Sequence, residues 1–376
     1  MKRKGEGAKK RGGGVKMAEV EGTETVTRGE IKEEYKKFIG RKLFFISFFI
    51  LLTILLCGIS ISLGPLKFSV LEVYATILDK FFPNFFDVPE LAPIVIWNIR
   101  INRVIMGVLA GAGLAIAGAV MQGILRNPLA SPFTLGISAG AGLGAAIAII
   151  AGVGFIGGGL LLVGNAFIFA LIPSFVIVGL ARFKRATPET MILAGIAMTY
   201  IFSAVSSLLH YFSEAEALKD VIVWLMGSLG RATWGNISTI CLVLAVCIPL
   251  LLWKSWDLNV IGAGDETAKS LGINVERTRI VVMMVASFLT AVIICFTGMI
   301  GFIGLVAPHI TRICIGGDNR FVVPASALFG AAFLVGADII AREVVAPVII
   351  PVGIVTSCVG GPLFLYLIIK KKREFW

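Results

Sequence analysis

The sequence predicts an all-α, polytopic membrane protein of ten transmembrane helices, some short and broken. Three observations carry that reading. Hydrophobic residues make up 57% of the 376-residue chain and charged residues only 15%, against the quarter or so usual in a globular domain. Mean hydropathy is +0.93. The basic residues are unevenly placed: of 34 Lys and Arg, 13 lie in residues 1–42 and four more form Lys370–Arg373. A net charge of +11 gathered in two tails suits anionic lipid at a membrane face and gives no sign of nucleic-acid binding.

A helix crossing the roughly 30 Å hydrocarbon layer needs about 20 apolar residues. The candidates, in order, are 43–63, 101–125, 133–151, 160–181, 190–212, 237–253, 280–300, 302–315, 322–341 and 348–369. The first follows forty polar residues and is long enough to span, unlike a cleavable leader. The eighth is too short to cross alone, so it is expected as a half-helix packed inside the bundle, and charge decides whether it counts. With ten spans and the amino terminus inside, inside segments and their flanks hold 27 Lys and Arg, the outside ones seven. Without the N-terminal tail the bias is still 14 to seven. Nine spans would put Lys370–Arg373 outside, against the positive-inside rule. Both termini are therefore expected in the cytoplasm, with the chain in the plasma membrane.

This divides the chain into a basic tail over 1–42, disordered to about Glu30, a ten-helix domain over 43–370, and a tail over 371–376. Five spans followed by five imply halves of opposite orientation, as in inverted repeats, although no sequence echo links them. Runs such as Gly107–Gly111 and Gly136–Gly144 point to close helix approach. The six cysteines lie in apolar stretches without CxxC spacing and read as small hydrophobes.

Chemistry of its own is hard to find. Gly262–Ser270 is the nearest approach to a phosphate loop, but Ala268 stands where glycine must precede Lys269. Gly111-Ala112-Gly113 opens no dinucleotide fingerprint, because residue 116 is Ile116. His210 and His309 lie in different spans with no acid-rich surroundings, so no catalytic pair and no metal site is expected. The one acid inside a span, Asp338, sits four residues before Arg342, and an ion pair accounts for it. That weakens the alternative of an ion-coupled secondary transporter, which needs in-span carboxylates.

Several blocks resemble the FecCD family of permeases, the membrane subunits of ABC importers for iron–siderophores, haem and vitamin B12. They are Ile99–Arg103, Gly118–Gln122, Arg126–Pro132 with Leu135-Gly136, the run GFIGLVAPHITR at Gly301–Arg312, Gly317–Arg320, Ala337–Arg342 and Pro351–Thr356. The similarity covers about 43–370. It implies the type II ABC importer architecture, a second permease copy, two cytoplasmic ATPases holding ATP and magnesium, an external substrate-binding protein and a metal-chelate cargo. Ferric siderophore is the first expectation, ahead of cobalamin, haem and molybdate or tungstate. No cofactor and no enzyme activity are implied for this chain.

The resemblance also assigns residues. Arg100, Arg103 and Arg342 match outward-facing arginines that receive carboxylates of the binding protein; from the residues alone, snorkelling at helix ends explains them equally well. Residues 256–276 resemble a pair of short coupling helices seated in the ATPase, with Leu258, Asn259, Gly262, Ala268, Leu271 and Gly272 as candidates. Gln122, Asn127, Pro128, Pro308, His309, Arg312, Asp338, Pro351 and Gly353 fall in the motifs as gate or packing residues. Three positions depart from the family pattern: Ile349 stands for a glutamate, Asn319 for a histidine and Asn102 for a proline.

Overall fold

The computed structural model describes residues 28–83, 85–183 and 187–370. The chain divides into an N-terminal unit, Met1–Gly40, and a main unit, Arg41–Trp376. The first unit is helical where described, from Arg28 onward. The expected disorder falls on residues outside the description, except Arg28–Glu30, which are helical. Residues 371–376 also lie outside it.

Helix α1 (Arg28–Ser62) is followed by α2 (Val70–Asp79) and α3 (Ala92–Ile94). A π-turn at Val95–Arg100 joins α3 to α4 (Ile101–Leu125) in one continuous helical run. A 3₁₀ turn at Pro132–Leu135 leads into α5 (Ile137–Ala146), then come α6 (Leu161–Phe183) and α7 (Pro188–Phe212). The second half holds α8 (Ala215–Leu225), α9 (Trp234–Gly262), α10 (Asp265–Ser270) and α11 (Val275–Thr297). It ends with α12 (Ile303–Ile315), α13 (Asn319–Glu343) and α14 (Val352–Lys370).

Among the described residues, seven helices are long and apolar enough to cross a membrane, and three shorter apolar ones sit at Ile137–Ala151, Ile303–Ile315 and Val352–Leu367. These ten correspond to the ten expected segments. The bounds moved where caps and turns rule. The second span starts at Ala92, because the π-turn absorbs one extra residue instead of breaking the helix. α9 overruns its expected end by nine residues, since nothing stops it before Gly262 (262 minus 253).

Two helices were not expected. α2 begins at a capping box in which Ser69 Oγ accepts from Glu72 N–H and Glu72 accepts from Ser69 N–H. That reciprocal pairing satisfies two end donors at once. α8 is a short amphipathic segment that buries Val221 and Trp224.

α4 forms the axis of the main unit, packed by α9, α11, α12 and α13. Glycine makes that packing possible. A Cβ on Gly118 would lie 1.7 Å from the Gly304 carbonyl oxygen, and one on Gly111 2.4 Å from that of Gly330. Backbones therefore touch where α4 crosses α12 and α13, as small residues permit inside lipid. α12 has thirteen residues, about 20 Å of helix, and is buried along most of its length. Its start is set by Phe302, which takes a left-handed φ of 67° and packs its ring on Gly360.

Candidate functional site

Burying a charge costs several kcal/mol unless it is paired, so the buried ions mark where the chain concentrates polar chemistry. They gather at two opposite ends of the bundle.

At one end α1 and α13 finish and α4 begins. Asp338 of α13 is 2% exposed and accepts from two arginines. Arg103 Nε donates to its carboxylate oxygens at 2.8 and 3.0 Å, with Nη2 at 2.8 Å. Arg342 Nε donates at 3.1 Å from one turn along the same helix. Arg342 then reaches the end of α1, donating to the Leu63 carbonyl (3.0 Å), the Ser60 carbonyl (3.2 Å) and Ser60 Oγ (2.6 Å). Arg100 donates to the carbonyls of Ile61 (2.8 Å), Ser62 (2.9 Å) and Leu66. A helix leaves its last four carbonyls without partners and carries partial negative charge there. Two guanidinium groups satisfy those of α1.

This corrects the expectation for Arg100, Arg103 and Arg342 as groups presented outward. All three are buried, at 4%, 8% and 5% exposure, because the carbonyls of α1 and the Asp338 carboxylate draw them inward. The Asp338–Arg342 pair is the one expected from their spacing. Its second partner, Arg103, lies 235 residues away.

At the other end two clusters sit side by side. Asp265, the first residue of α10, is held by Arg279 Nη1 and Nη2 at 2.9 and 2.8 Å, and by Arg126 Nη2 at 3.1 Å. Arg279, 2% exposed, also donates to the Ile124 carbonyl at 3.2 Å. One carboxylate thus joins α10 to the end of α4 and the start of α11. Burial pushes the Asp265 carboxyl up, but the hydrogen bonds and charge of Arg279, with the charge of Arg126, outweigh it and hold it below the ordinary range.

The second cluster centres on Asp318, the N-cap of α13. It accepts from Arg320 (2.6 and 2.9 Å) and from Asn259 Nδ2 (2.7 Å), with Lys42 at 3.7 Å. Burial raises the Asp318 carboxyl, yet the hydrogen bonds from Arg320 and Asn259 take it down to about 2. Asn259 Oδ1 accepts from the Asn319 backbone and side chain. Arg312 donates to Asn319 Oδ1 (2.8 Å), the Ala119 carbonyl (3.1 Å) and the Gly317 carbonyl (3.2 Å). Asn319, one of the three departures, is therefore a hinge-pin between α9, α12 and α13.

The motif residues take packing positions. Gln122 Nε2 donates to the carbonyls of Pro128 (2.9 Å) and Leu305 (3.1 Å), fastening α12 to the turn after α4. Asn127 Oδ1 accepts from Leu129 N–H, shaping that turn. His309 is buried edge-on against Phe364, ring centroids 5.4 Å apart. Pro308 is buried within α12. Pro351 leads into α14, and Gly353 N–H donates to the Met226 carbonyl at a contact no side chain would fit.

The 256–276 expectation needs revision. Its first seven residues are the continuous end of α9, and only α10 is a separate short helix. Leu258 and Ala268 are fully buried, Ala268 packing with Ile261 and Val275, and Asn259 is bonded inward. Neither buried apolar side chain is available to a partner. Leu271 is 67% exposed and stands just before Gly272, whose φ of +83° ends the helix. Among the described residues no group of three His, Cys, Asp or Glu side chains comes together.

Ten apolar helical segments around a glycine-packed axis, with the buried charges gathered at its two ends, define a multi-pass membrane protein. The FecCD transport family matches residues 51–370, and the chain belongs to that family. It is 46% identical to a Methanocaldococcus jannaschii protein named as an ABC transporter permease, over 92% of this chain and 99% of that one. It is 41% identical to the cobalamin import system permease of Halobacterium salinarum, over 76% of each chain. It is 39% identical to the hemin transport system permease of Yersinia pestis, over 74% of this chain and 84% of that one. A solved metal-chelate type ABC transporter in an inward-facing conformation superposes with a TM-score of 0.76 at 28% identity, covering 87% of this chain and 99% of that one.

Proposed function

We propose that the chain is the membrane-spanning half of an ATP-driven importer, passing a metal chelate from an external binding protein to the cytoplasm by alternating access. The observation that carries this reading is the joint at Asp265. A short helix ending in an exposed leucine is fixed by one carboxylate to the axial helix α4 and to α11. A push on Leu271 therefore reaches the centre of the bundle through ion pairs instead of a slack loop. The ATP and magnesium belong to a separate ATPase seated there, and a second permease copy completes the pathway.

The charge bias supports an orientation with the α10 end and both termini in the cytoplasm. The opposite end faces the binding protein. Arg100, Arg103 and Arg342 shape that face by holding α1, α4 and α13 together. Cobalamin and haem, the cargoes in the names of two relatives, stand beside ferric siderophore as the chelates to test.

Reconstitution in proteoliposomes with its ATPase and binding protein tests the reading. Uptake is expected to require ATP and the binding protein and to survive a protonophore. Uptake without ATP, abolished by the protonophore, returns the ion-coupled carrier instead.

A further inference from the structure

Between the last turns of α9 and the start of α11 lies a cavity of about 440 Å³, reached on one side by Gly272 and Ile273 beside the candidate coupling residue Leu271. Trp253, Lys254 and Asp257 form one wall, and Asn274, Arg277 and Thr278 the other.

Tryptophan spacing fixes its depth. Trp234 and Trp253 stand on α9 at 40% and 69% exposure. Nineteen residues separate them (253 minus 234), and Pro249 between them does not end the helix. At 1.5 Å per residue that is about 28 Å, close to the roughly 30 Å of a hydrocarbon layer. Indoles settle at the headgroup level on both edges of a bilayer, so these two mark the edges and the cavity opens at one of them. One turn further, Trp256 is 61% exposed with the Arg320 guanidinium 4.4 Å over its ring. That is the mixed aromatic and basic girdle of a membrane surface.

The charges decide the ligand. Lys254 Nζ lies 2.7 Å from Asp257 and 4.5 Å above the Trp253 ring, so that ion pair is balanced. Thr278 Oγ1 also faces Asp257, at 3.5 Å. Arg277 is exposed, and its guanidinium makes no ion pair among the described residues. The cavity thus has one positive charge in excess beside an indole. An anionic group with an apolar tail matches both. A small soluble anion matches only the charge.

We propose that this cavity holds the phosphate of an anionic membrane phospholipid, with Arg277 and Lys254 on its oxygens and Trp253 against its glycerol backbone. The site adjoins the proposed coupling helix at Gly272, but its lipid binding is read without the ATPase or transport.

Native mass spectrometry of the purified full-length chain, released from micelles doped with phosphatidylglycerol or with phosphatidylcholine, tests it. Phosphatidylglycerol is expected to stay bound in preference to phosphatidylcholine. Lys254→Gln with Arg277→Gln lowers its retention roughly tenfold or more, while Asp257→Asn, which removes the opposing carboxylate, raises it. Thermal unfolding of the same samples supplies the control for source: phosphatidylglycerol raises the midpoint of the wild type, and inorganic phosphate alone does not. Equal retention of both lipids, undiminished retention in the double variant, or equal stabilisation by inorganic phosphate overturns the proposal. The lipid-free unfolding midpoint of the double variant, expected to match the wild type, separates lost binding from misfolding.

Discussion

The two charged ends of this bundle use the same parts to different effect. At the α1–α4–α13 end, one carboxylate inside a span serves two arginines, and it is 2% exposed. At the α10 end the carboxylates stand outside the spans, with side chains 29% and 18% exposed at Asp265 and Asp318. Water can replace a lost partner at the second end and hardly at all at the first. The Asp338 end is therefore a fixed clasp, and the Asp265 end is a joint that can give.

Removing Asp338 gives the largest effect. Asp338→Ala leaves Arg103 and Arg342 buried without their carboxylate, a cost of about 3–5 kcal/mol when one member of a buried pair goes. Thermal unfolding in detergent should show it as a lower midpoint for the whole bundle. Asp265→Ala comes next, at about 1–3 kcal/mol, since Arg279 keeps the Ile124 carbonyl and Arg126 is a third exposed. Hydrogen exchange should place that loss locally, in α10 and the neighbouring ends of α4 and α11. A global loss there, or a local one at Asp338, breaks the comparison.

Acid separates the ends further. The Asp318 carboxyl titrates at about 2 in the folded protein, against about 3.9 for an unperturbed aspartate. A folded value below the unfolded one gives stability that is present above pH 4 and lost as the pH falls towards 2. Denaturant unfolding at stepped pH should show this slope at the α10 end, and Asp318→Asn should flatten it. The smallest effect belongs to Arg320→Ala, under about 1 kcal/mol, because Arg320 is 41% exposed and surface pairs contribute little.

What the sequence revealed and what it hid follow from the range of the forces. Spans were legible because hydropathy and charge bias are sums over many neighbours. The Asp338–Arg342 pair was legible from its four-residue spacing. The Arg103–Asp338 and Arg126–Asp265–Arg279 contacts were not, because no periodicity relates residues of different helices. Ser69 and Glu72 are a readable cap signal for α2, on a segment too short to register as a span. The resemblance implies outward-facing side chains for Arg100, Arg103 and Arg342, and the structure turns them inward. Charge bias locates a residue along the membrane normal, and it says nothing about whether its side chain turns out to water or back onto orphan carbonyls.

A double-mutant cycle between Arg103 and Asp338, read by thermal unfolding, tests the clasp most directly. If Asp338 is there to neutralise buried guanidinium, Arg103→Ala with Asp338→Ala should destabilise by clearly less than the two single losses added together. Losses that simply add would mean the two side chains do not depend on each other, and the clasp would have to be abandoned.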